Sequence, residues 1–264
     1  MTELKSFDRV AHVYDETRGL PPEAERAIAD GIAAEFRSAT RETRIVEVGV
    51  GTGRIAVPLT ERGLRVTGID ISTKMLGVLL EKRRDIDVIL AEASRPPLRE
   101  RAFDGALFVH ILHLVPDADA TVRAAIKLVR AGGALIEARD DHRSSVRDKA
   151  DTIIRETVQQ ISGVDIGGWS PYERGSTRFT ELLREAGAEV RHVPLAEWTG
   201  TTRGRRMLER LARRDYSSSW KIPEKIMPEL LERVTPMLDD LYGGLDREIS
   251  FDRSVSMTVG RLPA

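Results

Sequence analysis

Between Arg44 and Ala138 the sequence switches repeatedly between two hydrophobic periods, and that alternation limits the chain to a small set of folds. Arg44–Gly49 (RIVEVG) is a short β-branched run ending in glycine, the pattern of a strand buried on both faces. Gly53–Arg62 follows with helical spacing of Ile55, Ala56 and Leu59, and Gly63 stops it. Pro58 fits this helix only in its first turn or at a kink. Leu64–Asp70 predicts a second strand, and Ser72–Arg84 a helix with Ser72 as N-cap. Asp85–Ala91 and Phe103–Val109 predict the third and fourth strands. Asp117–Arg130 predicts a helix with Val122, Ala125, Ile126 and Val129 on one face, and Ala134–Ala138 a fifth strand. Strand and helix in alternation give a doubly wound α/β sheet, with ligands beyond the C-terminal strand ends.

After Arg139 the rhythm breaks. His142–Ile161 reads as a charged helix and 167–177 as an irregular stretch. Phe179–Ala186 and Ala188–Ala196 restore a helix and a strand, while 199–244 is mostly helical and polar. Ile249–Val259 alternates apolar and polar residues like a half-exposed antiparallel strand. The expected organisation is N-terminal lid helices over 1–40, a sheet core over 41–141, 178–198 and 249–262, and a helical cap formed by insertions at 142–177 and 199–248.

Charge and composition exclude several functions. With 41 Lys+Arg against 42 Asp+Glu, the net charge of -1 offers no electrostatic pull toward nucleic acid or an anionic membrane. Only seven of the basic residues are lysines, so 34 are arginines, the usual partner of carboxylates. No cysteine is present, which removes disulfides, thiolate metal sites and a cysteine nucleophile. The polar residues Met1–Val10 do not read as a secretory signal, and no apolar run approaches the roughly 18 residues of a spanning helix. A cytoplasmic location is expected, with no membrane and no nucleic acid as partners; the oligomeric state is left open.

The chemistry concentrates at the first strand-to-helix turn. Gly49, Gly51 and Gly53 allow a tight turn and close approach of a ligand to the main chain, and the helix that follows offers free N–H donors. Asp70 ends the second strand, where a carboxylate can take both hydroxyls of a ribose. Glu92, at the end of the third strand, and Phe103-Asp104, opening the fourth, add acids beside the same crevice. A nicotinamide site fits less well, because Arg54 stands where G-x-G-x-x-G needs its third glycine, and no Walker phosphate loop occurs.

These residues resemble the class I S-adenosylmethionine (SAM)-dependent methyltransferases of the small-molecule type. VEVGVGTGR resembles that family's acidic-x-G-x-G-x-G motif, and VTGIDIS with Met75 its ribose-holding segment. LAEASRPPLRERAFDGALFVHILHLVPD and VRAGGALIEA resemble its later strands, with Arg130-Ala131 in place of Lys-Pro. FDRVAHVYDETRGLP resembles its N-terminal lid. The resemblance covers residues 7–140; residues 141–264 carry no such motif. It implies a Rossmann-like seven-stranded methyltransferase sheet, SAM as cofactor with S-adenosylhomocysteine (SAH) as product, and a small-molecule acceptor methylated at oxygen, carbon or nitrogen.

The resemblance also implies site residues. Glu47 and Gly49, Gly51 and Gly53 lie near the methionine moiety, Asp70 on the ribose with Ile71 and Met75 beside it, and Glu92 and Ala93 near the adenine. Phe108, just past the fourth strand, lines the cofactor pocket, and Tyr14 and Arg18 belong to the lid. Glu92 stands where the family has Asp. His110 and His113, after the fourth strand, are the candidate bases, with burial as the competing reading of each. Asp140-Asp141-His142 reads as a solvated helix start, and no metal is expected. Trp169, Tyr172, Trp198 and Trp220 either enclose an apolar acceptor or pack a core. No [DNS]-P-P-[YF] motif follows the fourth strand, which disfavours amide or base-amine methylation. Two other readings stay open: a SAM- or SAH-binding protein without transfer, and a methyltransferase acting on RNA or protein.

Overall fold

The structure, a computed structural model, describes residues 7–8, 11–37, 42–142, 145–166, 170–215 and 217–264. The side chains of residues 13, 17–18, 141–142, 145–148, 170–175 and 217–218 lie outside that description.

Two helices come first, α1 (Tyr14–Arg18) and α2 (Pro22–Phe36), the latter with proline at its start, where a missing N–H costs nothing. Then strand and helix alternate: β1 (Arg44–Val48), α3 (Ala56–Glu61), β2 (Arg65–Asp70), α4 (Thr73–Lys82), β3 (Asp87–Leu90), β4 (Phe103–Val109), α5 (Ala118–Leu128) and β5 (Val129–His142). Ser72 caps α4 as the sequence predicts, its Oγ accepting the Met75 N–H at 3.0 Å; Asp117, expected inside the helix, caps α5 and accepts from Ala120 at 2.8 Å. Pro58 is the third residue of α3, where its missing donor has no helical partner to lose.

The later elements are α6 (Ser145–Ser162), α7 (Ser170–Glu185), β6 (Glu189–Arg203), α8 (Gly204–Arg213), α9 (Met227–Tyr242) and β7 (Glu248–Arg261). The seven-stranded sheet has the order β3-β2-β1-β4-β5-β7-β6. Its first five strands are parallel, with Val46 opposite Thr67 on one side and Ala106 on the other. Gly132 N–H donates to Pro263 and Leu262 N–H to Gly133, so β7 runs back along β5 as an antiparallel neighbour.

Alternation along the strands sorts the core into two layers. Val46, Val48, Ala106 and Phe108 face the α5 and α7 side with Val122, Phe179 and Leu183. Gly105 faces α2, and a Cβ there would stand 2.2 Å from the Phe36 ring.

Three expectations change. Residues 170–177 belong to α7 rather than to an irregular stretch, β5 begins at Val129 and carries Gly132-Gly133 within it, and β6 continues to Arg203. Within the segment expected to be a lid, α2 buries Ile28, Ile32 and Phe36, and Arg62 of α3 binds both its Asp30 carboxylate and its Arg26 carbonyl. An apolar face that wide needs a permanent partner.

By contact the chain divides into two compact units. One comprises 1–141, 172–196 and 254–264 and holds the sheet. The other comprises 142–171 and 197–253, with its own core of Val158, Leu230, Val234 and Leu238 between α6 and α9. No helix among the described residues is long and apolar enough to cross a membrane.

Candidate active site

The C-terminal ends of β1, β2, β4 and β5 carry the candidate site. β1 ends in a turn where Gly49, Gly51 and Gly53 all have positive φ, at 72°, 56° and 77°. Side chains enclose that turn. A Cβ on Gly49 would stand 2.6 Å from Ile111, and one on Gly53 would stand 2.1 Å from Leu79. Both conformation and space therefore require glycine there.

Asp70 stands beside the turn with both oxygens engaged: Gly51 N–H donates to Oδ2 and Ser72 N–H to Oδ1, each at 2.9 Å. Burial raises its carboxyl above the usual range, backbone N–H donors oppose that, and Asp8 adds to it. Ile71 is half-buried at its side. Met75 is buried below the turn, its methyl 3.2 Å from where a Gly51 Cβ would be.

Glu47 is the one charged residue within the buried part of β1, only 2 % exposed. Its Oε2 is buried without a hydrogen-bond partner. Burial pushes its carboxyl up to about 8, Arg54 draws it down, and Asp70 pushes it further up. An unsatisfied buried carboxylate oxygen beside a bare glycine turn fits a site that receives a cationic ligand group. These two acceptors thus suit the methionine ammonium and the ribose of SAM.

The N-terminal segment reaches the same turn. Thr52 Oγ1 donates to Asp15 at 2.6 Å, Lys82 Nζ binds Asp15 at 2.5 Å, and Lys82 also donates to Thr52 O at 2.8 Å. Ser72 Oγ donates to Asp8 as well. Tyr14, next to Asp15, is half-buried and meets Phe7 edge to face at 5.7 Å. Arg18 lies in α1, but its side chain falls outside the described residues.

Past β4 the loop carries both histidines. His110 has a φ of 53°, a left-handed backbone, and its Nε2 stands 3.4 Å from Asp140 Oδ1 at the end of β5. His113, half-buried, lies three residues on in the same loop. Glu137, on β5 opposite Phe108, is buried and accepts a hydrogen bond from Ser176 of α7. Burial raises its carboxyl, while Ser176, Arg139 and His110 hold it down. Composition and spacing gave no signal for Glu137 or Ser176, because their meeting depends on how α7 packs.

Several expected positions shift. Phe108 lies inside β4, not past it, and is fully buried with its ring 5.5 Å from that of Phe179. Its phase on the strand turns it toward α7, where it packs against Phe179. Glu92 comes two residues after β3 ends and is exposed, while Ala91 and Ala93 on either side pack against the core. Asp104 sits at the opposite, N-terminal edge of the sheet, where it accepts the Arg44 N–H at 2.7 Å and stands against Arg130. Trp198 lies under Arg253 at 4.9 Å, and Trp220 donates its ring N–H to Arg214 O. Trp169 and the side chains of Tyr172, Asp141 and His142 fall outside the described residues.

Comparison with known proteins agrees with the glycine turn. Residues 46–136 match the family model described as a methyltransferase domain. A demethylmenaquinone methyltransferase of Renibacterium salmoninarum is 28% identical over 136 residues, 52% of this chain and 57% of its own length. A ubiquinone biosynthesis O-methyltransferase of Aromatoleum aromaticum is 33% identical over 139 residues, 50% of this chain and 58% of its own. The chain thus spans little more than half of these two relatives. An uncharacterised methyltransferase of Mycobacterium tuberculosis is 26% identical over 237 residues, 88% of this chain and 85% of its own length. Among solved structures, a type II methyltransferase of Anaeromyxobacter dehalogenans has a TM-score of 0.60 at 17% identity, covering 90% of this chain and 97% of its own. That likeness is one of fold.

Proposed function

We propose that this chain, whose sheet carries a class I SAM-dependent methyltransferase domain, transfers the methyl group of SAM to a small-molecule acceptor. The observation that carries this reading is the glycine turn with the Asp70 carboxylate fixed beside it and the unpartnered Glu47 oxygen below. When bound, SAM supplies a sulfonium methyl group, an electrophile that needs alignment and exclusion of water more than activation. The chain's own residues do the positioning. Glu47 takes the ammonium, and Asp70 takes the ribose hydroxyls through its remaining lone pairs, with Ile71 and Met75 shaping that side. Glu92 and Ala93 border the adenine. Tyr14 closes over the methionyl end from the N-terminal segment, and Arg18 is the second lid residue the reading assigns. His110 is the proposed base, and His113 the second candidate.

Calorimetric titration of SAH into the wild type and Asp70→Ala tests the cofactor. Micromolar binding is expected, weakened in the variant by about 1.5–3 kcal/mol, the loss of a charged acceptor. A folded wild type that does not bind SAH would reduce the glycine turn to scaffold.

A further inference from the structure

Between the loop that follows β3 and one face of α5 lies a cavity of about 360 Å³, whose lining shares no residue with the glycine turn. Its apolar part belongs to the body of the sheet unit. Leu128 is buried, Ala124 is half-buried, and Leu98 packs against the core. The charged part is exposed, with Arg95, Arg123 and Lys127 against one acid, Glu100. Arg123 is already matched, its guanidinium donating to Glu185 at 2.6 Å. Arg95 and Lys127 have no ion-pair partner among the described residues. The loop wall is set by the fold itself. Arg95 N–H donates to Glu92 O at 3.1 Å, and Arg101 N–H donates to the carbonyl of Lys127 at 2.9 Å. Arg101 has a φ of 54°, a left-handed backbone that a non-glycine residue keeps where its surroundings fix it. Pro96-Pro97 restrict the chain between these two ties.

We propose that this cavity is a second ligand site, for a small organic anion: an acid group carried on an apolar body about the size of one ring. Its volume falls among those of small-ligand pockets, roughly 300–1,000 Å³, which combine apolar walls with a few polar groups that fix orientation. Arg95 and Lys127, one on the loop and one on the helix, take the acid group through charge-assisted hydrogen bonds. Leu98, Ala124 and Leu128 take the body. Neither half is enough alone. Exposed cations hold a bare anion weakly because water and salt screen them, and a ring without charge leaves the two cations unused. The site begins two residues past Glu92, and its occupation does not depend on the methyltransferase reading.

The test titrates phenyl phosphate and benzoate into the full chain, read by calorimetry and by backbone amide shifts. Wild type is expected to bind phenyl phosphate with a Kd of about 1 mM or below, and the shifts should gather in 94–101 and 120–128. Phenol, which lacks the acid, and inorganic phosphate, which lacks the ring, should each bind at least about tenfold more weakly. Arg95→Gln and Lys127→Gln should each weaken phenyl phosphate about tenfold, the loss of one charge-assisted bond. Arg206→Gln, the same charge change on exposed α8, should leave Kd within about twofold. Saturating SAH should leave the anion bound. Failure of both anions to bind, equal binding of phenol or inorganic phosphate, shifts gathered at the glycine turn, displacement by SAH, or an unchanged Kd in Arg95→Gln and Lys127→Gln would each overturn the proposal. The comparison among ligands uses wild type alone, so it stands even if a variant misfolds.

Discussion

At Glu47 the demands of fold and ligand oppose each other. Folded, its carboxyl titrates at about 8; its ordinary value is 4.5. In that window the folded chain keeps a proton that the unfolded chain has released, so this group makes stability fall as pH rises from about 5 to 8. Glu47→Gln cannot ionise, and its denaturant midpoint should be flatter across that range than wild type's; parallel curves for the two proteins would contradict the burial argument. The ammonium of SAH or SAM favours the ionised form. Binding near neutral pH should then release up to one proton, visible as a buffer-dependent calorimetric enthalpy, and the Gln variant should release none. The glycine turn around this carboxylate was legible from spacing alone, because only glycine tolerates that conformation next to Ile111 and Leu79. The packing of Phe108 against Phe179 was not, because that contact depends on where α7 lies.

The contacts of α1 belong to the scale of elements. Asp15 joins Thr52 and Lys82, and with 42% and 35% of the side chains exposed this ion pair resembles a surface pair, worth about 1 kcal/mol or less. Asp15→Asn and Lys82→Met should each speed SAH release a fewfold in stopped flow, and the gap from wild type should narrow as salt screens the pair. Equal rates would show that α1 does not cover the ligand. In the basic run Arg203–Arg214, three of the six arginines meet partners within their own unit. Arg205 pairs with Asp246, Arg213 with Asp215, and Arg214 holds the Trp220 and Ile222 carbonyls. Elements with local signals, such as α4 with its Ser72 cap, were legible in the sequence. The ones that escaped depend on distant partners: Gly132-Gly133 reads as a helix stop until Leu262 and Pro263 pair with it, and Ser176 belongs to no pattern until it meets Glu137.

At the scale of the molecule, two separate cores predict two separable stabilities. The sheet unit buries Val46, Ile69, Phe108 and Leu183, while the second unit closes around α6 and α9 through Val158, Leu230, Val234 and Leu238, all at 0% exposure. Every proposed cofactor contact lies in the first unit. Leu230→Ala leaves a cavity in the second core and should cost about 2–5 kcal/mol there. Hydrogen exchange should then quicken in α6 and α9, while the amides of β1, β2 and β4 keep their protection. SAH should reverse the pattern, slowing exchange in the sheet unit by mass action on the state that binds it and leaving the Leu230→Ala lesion in place. If Leu230→Ala instead deprotects both units together, the chain unfolds as one cooperative body, and the second unit then contributes stability to the SAM site as well as sequence to the chain.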